Sequence, residues 1–162
     1  MSTYFCSIDS STNLTAIALF IDGNYSRHIL INKKNIKNVE ERIDAMGSAI
    51  MDVLDEMNPD IVYIESPRGH GSSQGLVEKL ATIIGIVRAW CIRHDVYIQT
   101  VLPSVWRKYA GISQGKKKRA ELKAESIAYV KDRYDIDVTD DEADAIALGD
   151  AMVNRYKGET GL

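Results

Sequence analysis

Asp22-Gly23 constrains the fold of this chain more than any other residue pair. It separates the apolar runs Leu14 to Ile21 and Tyr25 to Ile31, and both of its positions tolerate positive φ, so the runs are expected to pair as an antiparallel hairpin. Upstream, Tyr4-Phe5-Cys6-Ser7-Ile8 reads as another strand, parted from Leu14 by the polar turn Ser10-Ser11-Thr12-Asn13. The N-terminal segment is therefore three consecutive antiparallel strands, the first of which delivers Asp9 at its end.

The remaining chain must cover this sheet and extend it. From Val39 to Met57 the apolar residues Ile43, Met46, Ile50, Val53, Leu54 and Met57 recur at intervals of three and four, the period of an amphipathic helix, and Asn58-Pro59 stops it. Ile61-Val62-Tyr63-Ile64 is a short continuous apolar run of the kind found in buried parallel strands, and it delivers Glu65. Residues Leu76, Leu80, Ile83, Ile84, Val87, Trp90 and Cys91 mark a second helix whose wide stripe offers one flank to the sheet and another to a second subunit. Val96 to Leu102 reads as a further strand, closed by Pro103. The order is β-β-β-α-β-α-β-α, an α/β layer: a mixed five-stranded sheet with antiparallel strands 1–3 and flanking helices.

A chain of 162 residues, 45% hydrophobic and 27% charged, fits a single domain spanning 1–162. The longest apolar run, Ala16 to Ile21, is too short to span a membrane, and Met1-Ser2-Thr3-Tyr4 carries no basic targeting segment, so a cytoplasmic protein is expected. Cys6 and Cys91 lie in apolar surroundings without motif spacing and read as reduced core residues.

Near the C-terminus, Thr139 followed by Glu142 is a capping-box pattern that starts a helix running toward Tyr156. Asp141 and Asp144, three apart, share one face of it, with the small residues Ala143, Ala145 and Ala147 leaving room between. The helix N-terminus is expected to keep both carboxylates ionised, ready to act as hard oxygen ligands. If the strands ending in Asp9 and Glu65 are neighbours and this helix crosses their ends, four carboxylates converge. Such a cluster suits Mg²⁺, with Mn²⁺ as a substitute, and two ions held there serve phosphodiester hydrolysis. His28 and His94 look peripheral, and His70, in the polar loop after Glu65, reads as a surface or DNA-contact residue rather than a general base.

The net charge of −3 hides a segregated distribution. Between Pro103 and Arg133 stand Arg107, Lys108, Lys116, Lys117, Lys118, Arg119, Lys123, Lys131 and Arg133; between Asp135 and Asp144 there are six acids and no base. A cationic stretch with Trp106 and Tyr109 interleaved suits a phosphate backbone. Gly115-Lys116 is no nucleotide loop, because Ala110 stands where the first glycine is needed and Lys117 where the hydroxyl is needed, so no nucleotide cofactor is expected.

Asp9 ending a first strand before Ser-Ser-Thr, Glu65 ending Ile-Val-Tyr-Ile, and Asp141-x-x-Asp144-Ala-Ile-Ala-Leu together resemble the RuvC family of Holliday junction resolvases, within the RNase H-like superfamily. The resemblance implies an RNase H-like fold, with Asp9, Glu65, Asp141 and Asp144 as catalytic metal ligands. It implies Mg²⁺ as cofactor, four-way and other branched DNA as partner, and a homodimer whose two sites nick opposed strands to leave 5′-phosphate ends. The segment from Trp106 through Lys118 resembles the family's basic stretch along the DNA, so Arg107, Lys108, Lys116, Lys117, Lys118 and Arg119 are candidate DNA contacts. Ser10-Ser11 stands where the family usually has Pro-Gly. The loop after Glu65 offers Arg68 and His70 as DNA contacts in place of the aromatic wedge of bacterial members, which points to a resolvase that accepts several branched DNAs.

Three other readings compete. An RNase H-like nuclease on RNA–DNA hybrid or nicked duplex would use the same metal chemistry. A non-catalytic branched-DNA-binding module would use the acids only as a helix cap. An actin-like kinase, suggested by Asp9-Ser10-Ser11-Thr12, would need two lobes that one short domain does not supply.

Overall fold

The structure is a computed structural model that describes residues 1–67, 73–112 and 115–160. Strands β1 (Tyr4–Asp9), β2 (Leu14–Ile21) and β3 (Asn24–Asn32) form the expected antiparallel set. Asp22 and Gly23 take positive φ of 51° and 77°, the turn conformation that continues the strand twist into a tight hairpin. Helix α1 (Val39–Met57) is capped by the Asn38 side chain, which accepts from the Glu41 N–H at 3.0 Å, and it ends at Asn58 in the left-handed region. Next come β4 (Ile61–Glu65), α2 (Gln74–Arg93) and β5 (Tyr97–Val101). The sheet order is β3-β2-β1-β4-β5, with β4 parallel to both β1 and β5.

The basic stretch corrects the expected element order. It is not one connection but two helices, α3 (Pro103–Ala110) and α4 (Arg119–Tyr134), placed before α5 (Asp140–Thr160). Pro103 does more than close β5: it occupies the first turn of α3, where its missing N–H costs nothing. Periodicity did not reveal α4 because it buries only Ser126 and Val130 completely, too few to make an apolar stripe.

Helices cover both faces of the sheet. Cys6, Ile8, Ile17, Leu19, Val62 and Ile64 pack against Met46, Ile50 and Leu54 of α1 and Ile83 and Val87 of α2. On the opposite face, Ala16, Ala18 and Phe20 meet Ala143, Ala145 and Ile146 of α5. Trp106 and Ala110 of α3 extend this second layer with Ala147, Leu148 and Ala151. Cys6 and Cys91 are buried free thiols, as the sequence suggests. Among the described residues no helix is long and apolar enough to cross a membrane.

Candidate metal and nucleic-acid site

Strand alternation decides where the strand-end acids point. On β1, Cys6 and Ile8 face α1 and α2, while Phe5 and Ser7 face α5. Asp9 is next in the α5-facing row. β4 repeats the pattern: Val62 and Ile64 face α1 and α2, Ile61 and Tyr63 face α5, and Glu65 follows them. The parallel register pairs Ile8 with Ile64, which sets Asp9 and Glu65 beside each other at the same sheet end.

Helix α5 approaches closely enough to complete the group. Small residues line the contact on both sides, and a Cβ on Gly149 would stand 2.1 Å from Phe20 Cε2, so only glycine fits there. The Ser7 hydroxyl donates to the Ala145 carbonyl at 2.7 Å. At the helix start, the Thr139 N–H donates to Glu142 Oε2 at 2.7 Å and the Glu142 N–H to Thr139 Oγ1 at 3.4 Å, the capping box the sequence predicts. Glu142 also reaches His28 Nε2 on β3 at 3.2 Å. That leaves Asp141 and Asp144 as the acids of α5 on the side of the strand ends.

The four carboxylates feel one another. Asp9 is held well above the usual carboxylate range, first by burial and then by Glu65, Asp144 and Asp141, with Lys123 pulling the other way. Burial pushes Glu65 up to about 7; the Trp106 N–H opposes this, Asp144 adds to it, and Arg107 and Arg119 oppose it. Asp144 is raised by burial against the Ser126 hydroxyl and Arg107. Asp141 is raised by burial and by Asp140, against Lys123, Lys34 and Arg119. Both shifts run against the helix dipole: without a cation, desolvation and neighbouring acids raise Asp141 and Asp144 despite their place in the first turns of α5. The other two acids of this turn are lowered: Asp140 by its pairing with Lys123, and Glu142 by its bonds to Thr139 and His28.

Among the described residues, no three His, Cys, Asp or Glu side chains stand ready to hold a metal ion. The donor chemistry fits one nonetheless: all four candidates offer hard carboxylate oxygens, and buried Asp144 Oδ1 has no hydrogen-bond partner.

Trp106 departs from the sequence reading. It is not a DNA-facing aromatic but fully buried, and its indole N–H donates to Glu65 Oε2 at 2.6 Å. Arg107 stacks over the Trp106 ring at 4.9 Å and lies close enough to hold down both Glu65 and Asp144. Its buried Nε has no partner. Lys108, Lys116, Lys118 and Arg119 are exposed, whereas Lys117 pairs with Glu125. Lys131 and Arg133 are engaged by Asp135, Asp137 and Asp150. Arg68 and His70 lie outside the described residues. Sequence reasoning gave Lys34 no role and Lys123 only a place in the basic stretch; they act on the acids from the β3–α1 connection and from α4. Only the fold brings them there.

A cavity of about 510 Å³ lies at the other end of the sheet, lined by Phe5, Ile61, Tyr63, Met152 and Tyr156 among others; none of the four carboxylates reaches it.

No family model and no curated protein matches the chain. Among solved structures, Thermus thermophilus RuvC superimposes with a TM-score of 0.70 at 14% identity, covering 98% of this chain and 97% of that one. T. thermophilus RuvC in complex with a Holliday junction substrate gives 0.71 at 14% identity and the same coverage. The yeast mitochondrial Holliday junction resolvase Ydc2 gives 0.63 at 13% identity, covering 99% of this chain and 85% of that one. The chain thus has the RNase H-like fold of the RuvC Holliday junction resolvases.

Proposed function

We propose that the protein is a Mg²⁺-dependent, structure-selective endonuclease that resolves Holliday junctions by paired phosphodiester hydrolysis, leaving 5′-phosphate ends. The observation that carries this reading is the gathering of Asp9, Glu65, Asp141 and Asp144, from two strand ends and one helix, into a single mutually repelling group containing an orphaned buried carboxylate oxygen. Their likeness in position to the resolvase motif, and a fold shared with junction-bound RuvC, support the substrate class.

The chain's residues divide the work. The four carboxylates would hold the divalent ions; Mn²⁺ offers the same hard-oxygen preference as Mg²⁺. Bound there, such ions supply Lewis acidity, acidifying the attacking water and stabilising the leaving oxygen. Arg107, beside Glu65 and Asp144 with an unpaired Nε, would bind a non-bridging oxygen of the scissile phosphate and orient it. Lys108, Lys116, Lys118 and Arg119 would grip flanking phosphates, and Arg68 and His70, outside the described residues, are further candidate DNA contacts. Leu76 and Ile92 are exposed on α2, the surface expected to seat a second copy so that two sites act on one junction.

The test is cleavage of a matched set of four-way junction, fork, linear duplex and RNA–DNA hybrid with and without Mg²⁺. Symmetric paired nicks in the junction are expected, abolished by Glu65→Gln or Asp144→Asn with junction binding retained. Cutting confined to the hybrid would assign the chain to the RNase H-like alternative, and unchanged cleavage in either variant would remove the acids from the mechanism.

A further inference from the structure

Glu65, like Asp9, is a candidate ligand at the end of a strand, where the backbone alone does not fix the side chain. Trp106 removes that freedom. The indole is fully buried, so its orientation is set by packing against α5, and its N–H donates to Glu65 Oε2 at 2.6 Å, a short hydrogen bond. The helix that carries it is itself fixed. Leu102 and Pro103 start α3 and Gly111, with φ 75°, ends it. The Asn154 side chain of α5 donates to the Tyr109 carbonyl at 3.1 Å, tying α3 to the helix that holds Asp141 and Asp144. Through Trp106, then, Glu65 on β4 is registered against the acids of α5.

We propose that Trp106 is a positioning residue for Glu65, its indole N–H fixing the carboxylate in the orientation that takes a divalent ion. A buried tryptophan N–H needs an acceptor, and a backbone carbonyl would satisfy it as well. Here the acceptor is instead the acid that β4 delivers to the carboxylate group. Donors that orient metal ligands in this way typically change metal affinity by about 10–100-fold when removed. Stacking of Arg107 on the same indole makes one side chain the reference for both the ligand and the phosphate-facing guanidinium.

This inference rests on the metal-site reading above, and the experiment separates the two. Mn²⁺ binding is measured by calorimetry, and the Mg²⁺ concentration for half-maximal junction cleavage by titration, for the unaltered protein, for Trp106→Phe, and for protein with Trp106 replaced by 3-benzothienylalanine, which keeps the bicyclic ring and substitutes sulfur for the N–H. Both replacements are expected to weaken Mn²⁺ binding about tenfold or more and to raise the half-maximal Mg²⁺ by a similar factor, with junction KM unchanged in the benzothienyl protein, which keeps the ring under Arg107. If Trp106→Phe fails to fold, the ring-preserving replacement decides. Wild-type Mn²⁺ affinity in the benzothienyl protein would overturn the role of Trp106 alone; no Mn²⁺ binding by the unaltered protein would overturn the metal-site reading and this inference with it.

Discussion

The Ser7 hydroxyl of β1 donates to the Ala145 carbonyl of α5 at 2.7 Å, fully buried. Ser7 is two residues before Asp9, and Ala145 directly follows Asp144, so this bond sets the distance between the strand acid and the helix acid. Four residues further along α5, Gly149 lets Phe20 and Ser7 pack directly against the helix backbone. The carboxylate group is thus built by small residues that allow close approach.

Gly149→Ala tests that closeness. Alanine raises helix propensity by about 1 kcal/mol, but its Cβ would stand 2.1 Å from Phe20 Cε2 and 2.7 Å from Ser7 Oγ, and a ring inside a core has nowhere to retreat. Overpacking of this kind costs about 1–3 kcal/mol, and a domain of this size loses roughly 2–4 °C in Tm per kcal/mol. We expect Tm to fall by about 5 °C and cleavage to fall even at permissive temperature, because α5 is pushed away from Asp9. A variant with unaltered Tm would show that the contact is easily relaxed.

The sheet was legible because its signals are local. Asp22-Gly23 dictates one hairpin and the apolar run before Glu65 one buried strand, and both appear as the sequence suggests. The convergence of Asp9 with Glu65 needed only period-two alternation plus strand adjacency. Trp106 was misplaced because composition sees an aromatic among cations, whereas the fold turns the ring inward and leaves the cations outside. Lys34 left no sequence signal, and Lys123 stood out only as one cation of the basic stretch, since their effect on the acids depends on long-range packing. A helix dipole can be read from sequence, but the burial and crowding that raise these carboxyls against it cannot.

Exposed Lys118 and Arg119 flank the start of α4 on the side of the acids, and Arg119 acts on both Glu65 and Asp141. As phosphate contacts they should each contribute about one unit to the salt dependence of junction binding. Lys118→Ala and Arg119→Ala are expected to weaken binding to every branched substrate uniformly and to reduce the log–log salt slope by about one each. Lys131→Ala, whose amine is engaged by Asp135 and Asp137, should leave the slope unchanged. Binding measured between low and physiological salt checks this; an equal effect from all three would remove the distinction between the two ends of α4.

Glu65 also sets the pH dependence of stability in the absence of metal. Its folded-state value of about 7 stands above the ordinary 4.5, so the folded chain binds the proton more tightly than the unfolded one. Stability from this group is therefore fully present below about pH 4.5, declines as pH rises toward 7, and is gone above it, where the unfolded chain ionises freely and the folded one must bury a charge. The loss is on the order of 2–3 kcal/mol. In chelator, urea midpoints should fall between pH 5 and 8, and Glu65→Gln, which removes the ionisation and keeps an acceptor for Trp106, should flatten that fall and exceed the unaltered protein in stability at pH 8. Mg²⁺ should restore stability to the unaltered protein at pH 8 far more than at pH 5, since protons and the cation compete for the same oxygens, and should do little for Glu65→Gln. A metal-free midpoint that rises from pH 5 to 8 equally in both proteins would mean that Glu65 is ionised without a cation and that the carboxylate group is not strained.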